Sequence, residues 1–136
     1  MKPLERELET YGIRPTAMRL RVLEAIRAAG TACVSLESLA TVLEKADNST
    51  IFRTLLLFSD SGLLHRVADG TEHTKYGYCG NSCDCDPTPR HFHLRCNGCR
   101  LTYCLKNSRT ENIPLPAGIK AASVSVVLEG ACTDCA

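Results

Sequence analysis

The sequence contains no tryptophan, and its three phenylalanines and four tyrosines make up only 5% of 136 residues. So thin an aromatic supply excludes a large aromatic-rich core and leaves small aliphatic ones. No apolar run approaches the roughly 18 to 20 residues that span a bilayer. The opening stretch "MKPLERELETYG" is charged and has no apolar h-region, so neither a signal peptide nor a membrane partner is expected, and the reading is a cytoplasmic protein. Charge of one sign is missing too. The formal net charge is +1, with nine Lys/Arg against nine Asp/Glu in residues 1–70 and seven against six in residues 71–136. Nucleic-acid binding through bulk charge is thereby excluded, and any such binding must come from a local cluster. Cysteine, by contrast, is plentiful, with nine in the chain. In a reducing compartment, paired cysteines signal metal or redox chemistry, and an odd count argues against a simple disulfide framework.

The length suits one ordinary domain or two small ones. Leu4, Leu8 and Tyr11 recur at helical spacing and Gly12 ends the run. Thr16 caps a second predicted helix, "AMRLRVLEAIRAAG", with Leu20, Leu23 and Ile26 inward. Ser35 caps a third, "LESLATVLEKA", with Leu36, Leu39, Val42 and Leu43 inward. Asn48 or Ser49 caps a fourth, "TIFRTLLLFSDSG", which Gly62 closes. The short turn around Asp47 between helices three and four reads as helix-turn-helix. Leu63–Val67 and Thr74–Tyr78 are strand-like, and Asp69-Gly70 is a hairpin signal. Helices followed by a hairpin form a winged helix over residues 1–78. Residues 79–90, "CGNSCDCDPTPR", form a Cys-rich hinge loop. In residues 91–136, "HFHLRC", "LTYCL" and "IKAASVSVVLEG" are strands, the last with Val124, Val126 and Leu128 on one face. That unit is small enough to need a metal or a partner subunit. The fold class is therefore α+β, a winged helix-turn-helix followed by a small α/β unit.

Two Cys-x-x-Cys pairs bracket the second unit: Cys96 with Cys99, and Cys132 with Cys135. Each knuckle presents two thiolates on one turn. Four thiolates close a tetrahedron around one structural Zn²⁺ and leave no open position for catalysis. A thioredoxin-like redox pair is the competing reading. The remaining ligand-type residues include His65 on the first strand of the wing, Cys79 at the start of the loop, and His91 and His93, which alternate on a strand and so share a face. Together these four offer a second N/S site with donors from both units. His73 alone reads as an ordinary surface or core histidine.

An enzyme is not expected, nor a small-molecule substrate. Zinc deaminases set a Glu beside the His that precedes their Cys pair. Here Phe92 lies between His91 and His93, and the nearby Glu111 follows the Cys pair. There is no Gly-rich phosphate loop, no Ser-His-Asp pattern and no His-Glu-x-x-His.

"YGIRPTAMRLRVL", "STIFRTLLLFSDSGLL", the "HFHLRC" strand and the two Cys pairs, taken together, resemble the ferric uptake regulator (Fur) family over nearly the whole chain. The resemblance implies a homodimeric, metal-dependent repressor that binds double-stranded operator DNA, with residues 91–136 as its dimerisation unit. It makes "STIFR" the start of the recognition helix, with Ser49, Thr50, Phe52 and Arg53 toward DNA; Phe52 stands where the family usually has Tyr. Arg14 and Arg19 match positions used toward the minor groove or phosphates. His65, Cys79, His91 and His93 are similar to the sensor set of the zinc-responsive (Zur) branch. Cys33 matches a His of iron-type members, and Cys104 matches a Glu ligand of several members, so both are alternative ligands. Gly77 stands where iron-type members place a Glu. A third family site looks lost, since Phe92 replaces an Asp and Val124 a His.

The thiolate donors favour Zn²⁺ over Fe²⁺ as the regulatory metal, with Fe²⁺ as the alternative. Other readings stay open: a thiol redox regulator in which Cys79, Cys83 and Cys85 form disulfides, a peroxide sensor of the kind that the resemblance implies, with an iron site that oxidises a His, and a zinc-ribbon interaction module that binds no duplex.

Overall fold

The computed structural model describes residues 3–78, 92–105, 114–121 and 126–136. Four helices come first: α1 (Pro3–Thr10), α2 (Ala17–Ala28), α3 (Leu36–Val42) and α4 (Asn48–Ser61). Capping explains their starts. The Thr16 hydroxyl accepts from the Arg19 N–H at 3.2 Å. Ser35 and Ser38 cap each other reciprocally at the start of α3, with Ser38 in the place a Glu usually takes. At α4 the cap position falls to Asp47, before both of the expected caps, Asn48 and Ser49. Its carboxylate makes no cap bond to the backbone and takes the Ser49 hydroxyl instead. Gly62, at φ 91°, ends α4 in the left-handed conformation that a side chain would disfavour.

Helix α3 is shorter than its pattern suggests. Leu43 leaves the helical region and Lys45 takes a positive φ of 67°. Val42, expected inward, is 66% exposed. The stripe that faces the core is Leu36, Leu39 and Leu43, and Val42 falls off it.

The aliphatic core lies among the helices. Leu8, Val22, Leu23, Ile26, Leu39, Ile51, Leu55 and Phe58 are buried together. Removing a buried ring such as Phe58 would cost about 3–5 kcal/mol. Against this core packs a hairpin of β1 (Leu64–Val67) and β2 (Lys75–Tyr78), antiparallel, with His65 opposite Gly77.

A second sheet holds β3 (Phe92–Cys96), β4 (Thr102–Leu105) and β5 (Val127–Gly130) in the order β4-β3-β5. β3 runs antiparallel to β4 and parallel to β5. The long strand expected over residues 119–130 is a strand only from Val127 among the described residues, and Ile119 is exposed. Burial in this sheet is unusual. Among the described residues from 92 onward the buried ones are His93, Cys96, Thr102, Cys104 and Cys132, while Leu101, Leu115, Ile119 and Leu128 are exposed. The described part of the sheet has donors for metal where an ordinary domain has aliphatic side chains.

Residues 31–34, between α2 and α3, stitch the two sheets together. Ala32 bridges to Tyr103 and Val34 to Tyr76, both antiparallel. The Cys33 N–H donates to the Thr102 carbonyl at 2.6 Å, and the Cys104 N–H donates to the Thr31 carbonyl at 2.9 Å. Backbone hydrogen bonding thus runs from β4 through this segment to β2. The fold is α+β, and no helix among the described residues is long and apolar enough to cross a membrane.

Candidate metal centres

Cys96 ends β3, and its knuckle turns back through Asn97–Arg100 into β4. Gly98 has no room for a side chain, because a Cβ there would lie 2.9 Å from both Cβ and Sγ of Cys135. Arg100 completes the turn with φ 63°. The result brings the Sγ atoms of Cys96, Cys99, Cys132 and Cys135 within 4.8 Å of one another. A tetrahedron with metal–sulfur bonds of about 2.3 Å has edges of about 3.8 Å. Cys99 Sγ lies 3.8 Å from Cys132 Sγ, so the donor set fits a zinc-type ion.

The electrostatics of the four thiols are uneven. The Cys132 and Cys99 N–H groups lower the Cys96 thiol to about 6. Burial opposes ionisation of Cys132, but hydrogen bonds from the Cys135 N–H, the Cys135 side chain and the Asp134 N–H together outweigh it and the thiol is lowered. Hydrogen bonding with Cys132 and Cys96 pushes Cys135 up to about 12. Tyr103 joins the cluster, its hydroxyl 3.6 Å from Cys99 Sγ; that contact, followed by one with Cys132, raises its phenol above the usual range. No sequence pattern singled out Tyr103; only the pairing of β3 with β4 brings it there.

The second group of donors spans the two sheets. His65 Nε2, from β1, lies 3.2 Å from His93 Nε2, on β3. Cys104 lies opposite His93 on β4, and all three residues offer donor atoms within 4.8 Å of one another. His93 and Cys104 are buried and His65 is half-buried. Two imidazoles and a thiol at this spacing form an N/S set of the kind that holds Zn²⁺. Cys104, expected only in reserve, stands with His65 and His93. Cys33 is not in that group. Its thiol is buried and pushed up to about 12, by burial first and then by the Cys104 thiol beside it. Cys79 and His91 lie outside the described residues. His73 is exposed and pairs with Glu37 at 3.1 Å.

Sequence reasoning saw Asp69 only as a turn residue. It is buried, and its carboxylate accepts from Thr102 Oγ1 at 2.6 Å, Lys75 Nζ at 2.9 Å and the Thr71 N–H at 3.0 Å. Burial would raise its pKa, but the bonds from Thr102, Thr71 and Lys75 outweigh that and hold it below the usual carboxylate range. Its carbonyl accepts from Arg95, which also pairs with Glu129 of β5.

Three of the residues expected toward nucleic acid, Arg19, Thr50 and Arg53, line one groove. Thr16, Met18 and Arg19 of α2 and its cap face Thr50, Arg53, Thr54 and Leu57 of α4 across about 280 Å³. The Arg19 guanidinium donates to the Arg14 carbonyl at 2.8 Å. Ser49 and Arg53 are exposed, Thr50 is half-buried, and Phe52 is 43% exposed on the outer face of α4.

Solved structures with similar folds include a zinc uptake regulator complexed with zinc and DNA (18% identity, covering 96% of this chain and 88% of that one, TM-score 0.65). The ferric uptake regulator of Vibrio cholerae is similar at 19% identity, 94% and 98% coverage and TM-score 0.64. The ferric uptake regulator of Pseudomonas aeruginosa with manganese is similar at 17% identity, 97% and 99% coverage and TM-score 0.62. No curated protein matches the chain in sequence. The model of the ferric uptake regulator family matches residues 10–126. The chain therefore belongs to the ferric uptake regulator family, whose members are metal-responsive transcription regulators.

Proposed function

We propose that this chain is a zinc-responsive repressor that binds operator DNA as a homodimer when its second metal site is filled. The observation that carries the reading is the convergence of His65, His93 and Cys104 from β1, β3 and β4. These donors sit on different sheets. His65 belongs to the hairpin packed on the helical core; His93 and Cys104 belong to the sheet that carries the four cysteines. They can share one ion only while the hairpin rests on β3 and β4.

Zn²⁺, when bound, supplies a positive centre shared by two neutral imidazoles and a thiolate. The chain's own residues transmit the effect. β1 packs on α4, so fixing His65 fixes the helix that carries Phe52 and Arg53. The docked arrangement is then favoured by as much as metal binds it better than the undocked one. Arg53 and Arg19 flank the groove and suit phosphate oxygens, and Phe52 suits a thymine methyl. The fourth position of a tetrahedral site falls to Cys79 or His91, the other two expected sensor ligands. Cys96, Cys99, Cys132 and Cys135 hold the structural Zn²⁺ in place of an aliphatic core, and residues 91–136 form the dimerisation unit. Residues 1–78 form the winged helix that carries the DNA-contacting face.

The test is duplex binding across metals. A duplex selected from a random pool should bind the zinc-loaded chain much more tightly than the chain with one zinc. Fe²⁺ or Mn²⁺ should restore less binding at equal free concentration. Stronger restoration by Fe²⁺ would turn the reading to iron, and duplex binding that tracks thiol oxidation instead would turn it to redox sensing.

A further inference from the structure

Gly77 lies on β2 directly across the hairpin from His65. It is buried, and its backbone is not among the positive-φ glycines, so conformation does not explain a glycine here. Space does. A Cβ at residue 77 would lie 2.4 Å from His65 Nε2, 2.6 Å from its Cε1 and 3.2 Å from its Cδ2. A contact under 3.0 Å obliges something to shift, and here the atom that must move is the donor nitrogen 3.2 Å from His93 Nε2. The imidazole lies folded over the bare backbone of its cross-strand neighbour.

We infer that Gly77 is a positioning residue for the regulatory metal site: its missing side chain is the space in which the His65 ring reaches across to His93 and Cys104. The inference rests on the reading of His65, His93 and Cys104 as that site. Any side chain at residue 77 pushes the ring aside and moves Nε2 away from its place beside the other two donors. A hairpin with a larger residue here would have to build a site without this histidine.

The experiment uses the full chain holding its first equivalent of Zn²⁺, with Co²⁺ as the probe. The tetrahedral d–d and thiolate charge-transfer bands report occupancy of the second site by competition with a chelator. Gly77→Ala, His65→Ala, the double variant and His93→Ala are compared. Gly77→Ala should weaken Co²⁺ binding about 10–100-fold, close to the loss in His65→Ala. The double variant should bind as His65→Ala alone does, because the methyl group then has nothing left to displace. If Gly77→Ala fails to fold while the double variant folds, the same steric exclusion is shown.

Wild-type affinity in Gly77→Ala would overturn the inference. So would additive losses in the double variant, or a double variant that also fails to fold. If His65→Ala and His93→Ala leave Co²⁺ binding unchanged, the metal-site reading itself falls and this inference falls with it. Losses in those two without a loss in Gly77→Ala would overturn the glycine's role alone.

Discussion

The Thr102 hydroxyl donates a 2.6 Å hydrogen bond to the buried Asp69 carboxylate, tying β4 to the turn between β1 and β2. Lys75 from the same hairpin pairs with that carboxylate at 2.9 Å, and Arg95 of β3 donates to the Asp69 carbonyl. One acidic residue thus holds the hairpin against the sheet that carries His93 and Cys104. It favours the docked arrangement, in which His65 lies within reach of them.

Asp69→Asn should therefore destabilise the chain by about 2 kcal/mol at pH 7, the scale of a hydrogen bond to a charged group. The folded-state pKa of Asp69 is depressed, so its stabilisation is complete above the unfolded value of about 4 and is lost as pH falls toward the folded value. Denaturant melts of both chains should show a gap that is constant from pH 7 to about 5 and narrows below about 4. A gap independent of pH from 6 to 3 would mean that the carboxylate charge contributes nothing.

Replacing Cys132 by Ser should remove one equivalent of tightly held zinc, because three thiolates and a hydroxyl make a poorer set than four thiolates. Among the described residues little aliphatic burial supports β3, β4 and β5, so limited proteolysis should then cut first within residues 92–136. The helical core, with its own buried aliphatic residues, should persist as a fragment. Unchanged zinc content by native mass spectrometry would refute the four-cysteine site.

Tyr103→Phe removes the hydroxyl 3.6 Å from Cys99 Sγ. Losing that partner should speed zinc release to a colorimetric chelator roughly tenfold, the usual scale for groups that support a ligand from outside the coordination shell. The melting temperature of the zinc-loaded chain should move little. Release at the wild-type rate would show that the phenol does not support the thiolate.

What could be read in the sequence follows from how local each signal is. The four helices, the hairpin and the Cys knuckles announce themselves through caps, 3.6-residue spacing and paired cysteines, all within a few residues. Helix ends were less legible. Val42 continues the apolar pattern, yet the chain leaves the helix at Leu43, and nothing in the composition of "VLEKA" forces that exit. The role of Asp69 was hidden because its partner Thr102 is 33 residues away and looks like any strand threonine. Cys104 was legible as a possible donor only through resemblance, since its place opposite His93 depends on the β3–β4 register. Gly77 was equally silent, since a glycine in a strand has several common explanations, and only the His65 ring above it selects one.

Arg53 is exposed on α4 beside the groove that Arg19 shares. Arg53→Ala should leave the melting midpoint within the small range of surface substitutions. Duplex affinity should fall, and the slope of log affinity against log salt should flatten by about 1 if the guanidinium neutralises one phosphate. Full affinity with an unchanged slope would move the DNA-contacting face away from this end of α4.

The most direct test of the whole account is the duplex affinity of wild type and Cys104→Ala, each measured by fluorescence anisotropy in saturating Zn²⁺ and again with only the first zinc equivalent present. The account predicts that wild type gains affinity with the second equivalent, while Cys104→Ala shows little gain and still carries its four-cysteine zinc. An equal gain in both chains would contradict a regulatory site built on His65, His93 and Cys104.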